Sequence, residues 1–168
     1  MKKDKWTIDD IDDLTGKIFL VTGANSGIGF EATKVFSSKG AKVIMGCRNL
    51  EKAKGAKEDI LSEFPNALLD IIQLDLTSFK SIKEFSDKVI EKYSKLDVLL
   101  NNAGIMTVPY GSTEDGLELQ IGVNHFGHYY LTLNLINLIN KTENSRIVNI
   151  ASIAHKYGNL KKNTFLYE

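Results

Sequence analysis

The chain has 168 residues, of which 43% are hydrophobic and 25% charged, and its 21 basic residues match its 21 acidic residues in number. This balance argues against nucleic acid or an anionic membrane surface as the main partner. The single cysteine, Cys47, excludes an intrachain disulfide framework and a cysteine-based zinc site. No apolar run approaches the roughly 18 residues of a membrane span, and the charged N-terminus lacks the apolar core of a secretory signal. We therefore expect a soluble, cytoplasmic protein.

Residues 1–16 are more polar than the rest of the chain. They carry a run of acidic side chains at Asp9, Asp10, Asp12 and Asp13. We interpret this segment as a solvated lead-in rather than a carboxylate metal site, and we expect no metal ion in the protein. One folded domain is expected over residues 17–168, a length that buries roughly 70% of the surface of the unfolded chain.

A glycine-rich turn follows the first apolar run of this domain. Residues 18–21 are apolar and end in Thr22, and Gly23, Gly27 and Gly29 follow in the spacing G-x-x-x-G-x-G. A helical pattern begins at once, so the stretch predicts a buried strand, a tight turn and a helix N-terminus. Glycine lets a phosphate approach the backbone closely, and the helix start supplies unpaired N–H groups and a positive partial charge. The turn suits a pyrophosphate, although a strand–helix turn without a ligand can show the same pattern.

Strands and helices alternate along the rest of the domain. Apolar runs predict strands at 41–47, 68–74, 96–100 and 146–150, and helical periodicity predicts helices at 49–64, from 78, and from about 113 to 140. This alternation implies parallel strands joined by right-handed crossovers. We therefore predict an α/β protein with a Rossmann-type doubly wound parallel sheet in a three-layer α/β/α arrangement. Ligands of such sheets bind at the carboxyl ends of the strands.

Motifs at these strand ends resemble those of one enzyme family. They are TGANSGIG (22–29), LDL (74–76), NNAG (101–104), GVNHFGHYYLT (122–132) and RIVNIAS (146–152). Taken together, they resemble the short-chain dehydrogenase/reductase family. The tripeptide CRN at 47–49, the segment 113–132 and SIAHKYG at 152–158 are similar to its retinol-dehydrogenase-like branch. The resemblance extends over nearly the whole chain and implies an oxidoreductase with a nicotinamide cofactor.

The resemblance also implies which residues hold this cofactor. Residues of the glycine loop would bind its pyrophosphate and adenosine side: Gly23, Asn25, Ser26, Gly27, Ile28 and Gly29. Asp75 would accept a hydrogen bond from the adenine amino group beside the backbone of Leu76. The tripeptide Asn102, Ala103 and Gly104 would lie along the cofactor.

Two of these assignments have local alternatives. An aspartate after a strand can serve only as a helix cap, here for Thr77 and Ser78. Likewise, the pair Asn101–Asn102 can reflect turn chemistry alone, because asparagine side chains bond their own backbone in turns.

The end of the second predicted strand decides the choice of cofactor. A carboxylate there binds the ribose hydroxyls of NAD(H), whereas an arginine suits the 2′-phosphate of NADP(H). The sequence has Arg48, and its first acid, Glu51, is out of position. Arg48 can give charge-assisted, bidentate bonds to a phosphate, so NADP(H) is favoured over NAD(H). The alternative is that Arg48 is a solvated surface charge.

The long predicted helix carries two polar residues on an apolar stripe. The stripe recurs at spacings that alternate between four and three residues: Leu117, Ile121, Asn124, His128, Leu131, Leu135 and Leu138. Asn124 on a buried stripe requires hydrogen-bond partners, and the resemblance implies that it bonds nearby backbone and holds a water that relays protons. His125 and His128 are interpreted as surface or core histidines, because no third metal ligand is placed beside them.

Ser152 follows the fifth predicted strand and matches the second position of the family's Ser-Ser pair, of which the first is Ala151 here. Its hydroxyl can donate to a carbonyl oxygen that gains negative charge, although an ordinary turn serine is the alternative. The family also uses a Y-x-x-x-K pair for proton transfer. The literal match Tyr157–Lys161 lies too close to Ser152, and no lysine follows Tyr167 at the required spacing. We therefore expect the sequence to stop before the Tyr/Lys helix and the C-terminal strands.

Two functions follow from these residues. The first is an NADP(H)-dependent oxidoreductase that transfers hydride between nicotinamide and a small carbonyl or alcohol substrate, with the 168-residue chain inactive by itself. The second is a nucleotide-binding module or pseudoenzyme without the Tyr/Lys pair. The resemblance leaves the oligomeric state open between monomer and homodimer, because dimers of the family commonly use the long helix together with the next one, which we expect to be missing from this sequence.

Overall fold

The computed structural model of the protein describes residues 6–157. Five parallel strands are arranged in the order β3-β2-β1-β4-β5. The strands are β1 (Ile18–Thr22), β2 (Lys42–Cys47), β3 (Leu68–Gln73), β4 (Val98–Asn101) and β5 (Arg146–Asn149). The chain order reverses between β1 and β4, so the carboxyl ends of these two strands form the switch point at which doubly wound sheets bind ligands.

Helices cover both faces of the sheet. They are α1 (Gly27–Ser38), α2 (Leu50–Glu63), α3 (Phe79–Lys92), the single turn α4 (Leu119–Ile121) and α5 (His128–Asn140). A π-helical segment, Gly122–Gly127, joins α4 to α5, and short 3₁₀ turns lie at Ile8–Asp10 and Ile153–Tyr157. The predicted three-layer α/β/α arrangement is confirmed.

The strand register explains why two cores form. Leu20 lies opposite Ile44 and Leu99, and this row packs with α3 and α5 on one face of the sheet. The next residue, Val21, lies opposite Met45 and packs with α1 and α2 on the other face. All five side chains are fully buried. Successive strand residues point to opposite faces, so two apolar runs fill two layers of core.

The helix predicted to begin near residue 113 starts later. Residues 113–117 form a turn in which the Thr113 N–H donates to the Leu117 carbonyl at 2.8 Å. Gly116 has φ +80°, a left-handed conformation outside helical geometry. The Glu118 carboxylate then caps α4 by accepting from the backbone N–H groups of Gln120 (3.0 Å) and Ile121 (2.9 Å). The predicted start was therefore wrong, because the turn and this cap lie inside the sequence taken as helix.

The other predicted elements agree with the structure to within two residues at their ends. Gly40 follows α1 at φ +92°, as expected of a residue just past a helix C-terminus. None of the helices within residues 6–157 combines the length and the apolar character needed to cross a bilayer.

Candidate functional site

The glycine loop brings an open helix N-terminus to the switch point. Ser26 precedes α1, but its side chain accepts no capping hydrogen bond. By contrast, Asn49 caps α2 and Ser78 caps α3 through their side-chain oxygens. Within the described part of the chain, the first N–H groups of α1 therefore have no side-chain partner. They carry the positive end of the helix dipole, which is the arrangement that binds phosphate groups.

Two of the loop glycines serve different purposes. Gly27 adopts φ +54°, and a Cβ there would meet nothing within 4 Å, so the space beside it is open. A Cβ on Gly29 would lie 2.3 Å from the Gly23 carbonyl oxygen and 2.4 Å from Asn102 Nδ2. Gly29 thus lets α1 pack closely against the ends of β1 and β4, while Gly27 leaves the loop open towards a ligand.

A cavity of about 480 Å³ opens beside this loop. Its size lies in the range of small-molecule and cofactor sites. All the residues predicted to bind the cofactor line it except Gly29, which packs behind the loop: Gly23, Asn25, Ser26, Gly27, Ile28, Arg48, Asp75, Leu76, Asn102, Ala103 and Gly104. Thr22, Gly46, Leu74, Thr77, Ile105 and Val123 complete the lining. The structure therefore brings together residues from four strand ends that are far apart in sequence.

Arg48 enters this cavity from the end of β2. Its side chain is exposed, and it forms no ion pair with any carboxylate of residues 6–157. The next residue, Asn49, accepts a bond from the Lys52 N–H at 2.9 Å and so starts α2 immediately after Arg48. The guanidinium group thus keeps its full set of donors for an anion in the cavity.

Asp75 holds the turn between β3 and α3. Its Oδ1 accepts from the Thr77 backbone N–H at 2.9 Å and from the Thr77 hydroxyl at 2.7 Å. The helix cap itself is Ser78, whose Oγ lies 3.4 Å from the Ser81 N–H that it accepts from. A carboxylate has a second oxygen, so Asp75 can shape the turn and still accept a bond from a ligand. The two interpretations of Asp75 are compatible.

The Thr22 hydroxyl joins β1 to the segment after β4. Its Oγ1 accepts from the backbone N–H groups of Asn102 and Ala103, both at 2.9 Å, and lies 2.8 Å from His128 Nε2. Asn102 returns a bond from Nδ2 to the Thr22 carbonyl at 2.8 Å. Turn chemistry alone is therefore the wrong explanation for Asn102, because its side chain bonds another strand. The role of Thr22 was not predicted, since its partners lie 80 or more residues away.

Cys47 supports the other side of the loop. The buried thiol accepts hydrogen bonds from the backbone N–H groups of Ala24 and Asn25, and burial raises its pKa to about 11. A thiol with so high a pKa is a poor nucleophile. Cys47 therefore supports the base of the loop, and apart from its position at a strand end nothing in the sequence predicts these bonds.

A second cavity of about 720 Å³ adjoins the first and contains both predicted catalytic residues, Asn124 and Ser152. Asn102, Ala103 and Gly104 line both cavities. The structure thus places Asn124 and Ser152 on one side of the 102–104 segment and the glycine loop on the other. A ligand along this segment would reach both cavities.

Asn124 is clamped to the backbone of Ile105. Its Oδ1 accepts from the Ile105 N–H, and its Nδ2 donates to the Ile105 carbonyl, both at 2.8 Å. The expectation of a buried position was wrong, because Asn124 is exposed within the π-helical segment. This segment has more residues per turn than an α-helix, so the predicted stripe is rotated there. The expectation of hydrogen-bond partners holds.

Ser152 lies just before the 3₁₀ turn Ile153–Tyr157. Its Oγ accepts from the Ala154 N–H at 3.1 Å, as in an ordinary turn serine. The hydroxyl still has its own proton to donate into the cavity. Tyr157 is 88% exposed on this turn, whereas Lys161 and Tyr167 lie outside the described residues.

The two histidines of this region differ in environment. His125 is exposed and contacts Phe126, with ring centroids 5.1 Å apart. His128 is buried, and its burial lowers its pKa although a hydrogen bond to the Asn124 carbonyl opposes the shift. The predicted surface and core positions are both present. Within residues 6–157, no group of three or more His, Cys, Asp or Glu side chains is placed to hold a metal ion.

Comparison with known proteins agrees with this geometry. The family model for short chain dehydrogenases matches residues 17–165. Human retinol dehydrogenase 13 is 44% identical over 147 residues, which cover 88% of this chain and 44% of that protein. The chain therefore spans less than half the length of this relative.

Solved structures show the same likeness. An uncharacterised protein from Mycobacterium paratuberculosis superposes with a TM-score of 0.82 at 35% identity, covering 95% of this chain and 55% of the other. A protein described as a short chain dehydrogenase from Escherichia coli CFT073, solved in complex with NADPH, gives a TM-score of 0.76 at 28% identity, with coverage of 88% and 63%. With its strand order, its glycine loop and the match over residues 17–165, the chain belongs to the short-chain dehydrogenase family and resembles its retinol dehydrogenases.

Proposed function

We propose that this chain is the cofactor-binding part of an NADP(H)-dependent oxidoreductase. The observation that carries the proposal is that two groups without a side-chain partner among residues 6–157, the N-terminus of α1 and the guanidinium of Arg48, open on the same cavity. A helix N-terminus favours a pyrophosphate, and an arginine after the second strand favours a 2′-phosphate. Two anion sites in one cavity match a dinucleotide with an additional phosphate.

The other lining residues fit the remaining parts of the cofactor. The Asp75 oxygen not used by Thr77 would accept from the adenine amino group, beside Leu76. Asn102, Ala103 and Gly104 would lead the cofactor from the first cavity to the second, where Asn124 and Ser152 lie. The related E. coli protein solved with NADPH supports this choice of cofactor.

The nicotinamide would supply a hydride for exchange with the carbon of a small carbonyl or alcohol substrate. Ser152 would donate its hydroxyl proton in a hydrogen bond to the substrate oxygen, which gains negative charge as a carbonyl is reduced. Asn124, fixed by both bonds to Ile105, would hold a water for proton relay with the remaining hydrogen-bonding capacity of its amide.

The cytoplasmic location expected from the sequence stays a prediction.

A dinucleotide-binding module without turnover is the second candidate. This candidate is favoured by a difference between the described linings of the two cavities. The first is lined by nearly every residue predicted for it, whereas no lysine of residues 6–157 lines the cavity of Ser152, and Tyr157 is exposed outside it. We expect no carbonyl reduction by the 168-residue chain with NADPH. Clear turnover of a test aldehyde would exclude the second candidate.

Replacement of Arg48 tests the choice of cofactor. Arg48→Ala should weaken NADPH binding by about 1.5–3 kcal/mol, the strength of hydrogen bonds to charged groups, and should leave NADH binding nearly unchanged. The matched control is Arg146→Ala, which removes an exposed arginine from β5, outside the first cavity. Titrations monitored by nicotinamide fluorescence measure both affinities. Equal losses for NADPH and NADH would refute the 2′-phosphate role.

A further inference from the structure

The buried ring of His128 connects the two parts of the site. Its Nε2 lies 2.8 Å from the Thr22 hydroxyl oxygen, and its Nδ1 lies 3.1 Å from the Asn124 carbonyl oxygen. Thr22 is at the end of β1 and Asn124 is in the π-helical segment, so the ring bridges the sheet to that segment. Both of its nitrogens have a partner within hydrogen-bond distance.

The hydrogen bonds of the Thr22 hydroxyl show which nitrogen of the His128 ring carries the proton. A hydroxyl has two lone pairs and one proton. The Thr22 oxygen already accepts from the N–H groups of Asn102 and Ala103. Its proton is therefore the group that points at His128, and Nε2 must be the acceptor. It follows that the proton of a neutral ring is on Nδ1, which donates to the Asn124 carbonyl. Burial, which lowers the pKa of His128, also favours the neutral ring.

The backbone hydrogen bond of His128 departs from that of a regular α-helix. In a regular α-helix the N–H of residue 128 would donate to the carbonyl of residue 124. Here the backbone N–H of His128 donates to the carbonyl of His125 instead. The Asn124 carbonyl receives the side-chain N–H of the same histidine. The ring thus ties Asn124 to the start of α5 where the regular backbone bond is replaced.

We propose that neutral His128, with its proton on Nδ1, is a positioning residue that fixes Asn124 relative to Thr22 and the amides of residues 102 and 103. The Asn124 side chain then holds Ile105, directly after the segment that lines both cavities. The geometry of the 102–105 segment is in this way set from both ends. The consequence for ligand binding rests on the proposed function, whereas the proton assignment rests on the hydrogen bonds alone.

Histidine nitrogen NMR on the full chain tests the assignment directly. With ¹⁵N-labelled histidine, two-bond correlations to the ring carbon-bound protons distinguish a protonated nitrogen from an unprotonated one. We expect His128 to show a protonated Nδ1 and an unprotonated Nε2 at neutral pH. A proton on Nε2, or a doubly protonated ring, would overturn the proposal.

Two variants separate the two bonds of the ring. His128→Asn keeps an amide N–H near the Nδ1 position but loses the reach to Thr22, whereas His128→Gln reaches towards Thr22 but loses the donor to Asn124. We expect the Asn124 side-chain NH₂ signal to move in His128→Gln and to stay close to its wild-type position in His128→Asn. The controls are the same two substitutions at the exposed neighbour His125, which should leave that signal in place.

Cofactor titration then connects the positioning role to the site. We expect roughly three- to tenfold weaker NADPH binding for His128→Gln, the effect of one lost neutral hydrogen bond, and a smaller change for His128→Asn. Equal losses for the two variants, with the Asn124 signal unmoved in both, would contradict the positioning role. If the wild-type chain does not bind NADPH, the proposed function fails, and the ring assignment is still decided by the wild-type spectrum. That spectrum also decides it if neither variant folds.

Discussion

Removing the Thr22 hydroxyl is the sharpest test of how the ends of β1 and β4 are joined. Thr22→Val keeps the shape of the side chain and removes an oxygen with three partners: the Asn102 N–H, the Ala103 N–H and His128 Nε2. An unsatisfied buried polar group costs about 1–3 kcal/mol. Because Asn102 and Ala103 are only partly buried, we take the low end for their amides and expect a total loss of about 3–4 kcal/mol in the free energy of unfolding.

The assay is urea denaturation followed by circular dichroism, with two matched variants. Thr33 is as deeply buried as Thr22, but its hydroxyl makes one hydrogen bond, to the Gly29 carbonyl at 2.7 Å. Thr33→Val should therefore cost about 1 kcal/mol. Thr22→Ser keeps the hydroxyl and should lose about 1 kcal/mol for the missing methyl group. A Thr22→Val cost no greater than that of Thr33→Val, or a Thr22→Ser variant as unstable as Thr22→Val, would show that the Thr22 hydroxyl does not join the two strand ends.

Three further predictions concern stability and reactivity. Burial opposes ionisation of Asp97, but bonds from the Ile18 N–H and from two lysines outweigh burial and hold the Asp97 pKa below the usual 3.8. The contribution of Asp97 to the free energy of unfolding is therefore present above pH 3.8 and is lost as the pH falls further. Asp97→Asn should make the urea midpoint depend less on pH in that range. Gly29→Ala should destabilise the chain and weaken NADPH binding, because the new Cβ would overlap Gly23 and Asn102. The matched control is Gly55→Ala inside α2, where a Cβ would meet nothing within 4 Å. This control should stabilise the chain by about 0.5–1 kcal/mol in the same denaturation assay. Cys47 should resist a thiol reagent such as DTNB in the native state and react in urea; rapid native labelling would contradict its place beneath the loop.

Local patterns were sufficient to predict most of the fold. Each strand contains a short apolar run, and helices α1, α2 and α3 begin within two residues of the starts that the sequence predicts. Parallel pairing follows from the helix-length connections. The lining of the first cavity was predictable for the same reason, since the carboxyl ends of parallel strands meet at one edge of the sheet.

The features that the sequence did not predict depend on long-range contacts or on an irregular helix. Thr22 bonds residues 80 to 106 positions away, and such distances leave no periodic signal. The turn at 113–117 and the π-helical segment were hidden inside an apolar periodicity that continues through them. That periodicity placed His128 and Leu131 correctly in the core but placed Asn124 there too, because an α-helical period does not apply within the π-helical segment.

Calorimetric titration of the wild-type chain with NADPH and with NADH tests whether the first cavity binds a phosphorylated dinucleotide. We predict saturable binding of one NADPH per chain, tighter than NADH by roughly tenfold or more, as expected for a charge-assisted bond to the 2′-phosphate. Equal affinities, tighter binding of NADH, or no heat of binding with either cofactor would contradict the proposal that this cavity binds NADP(H).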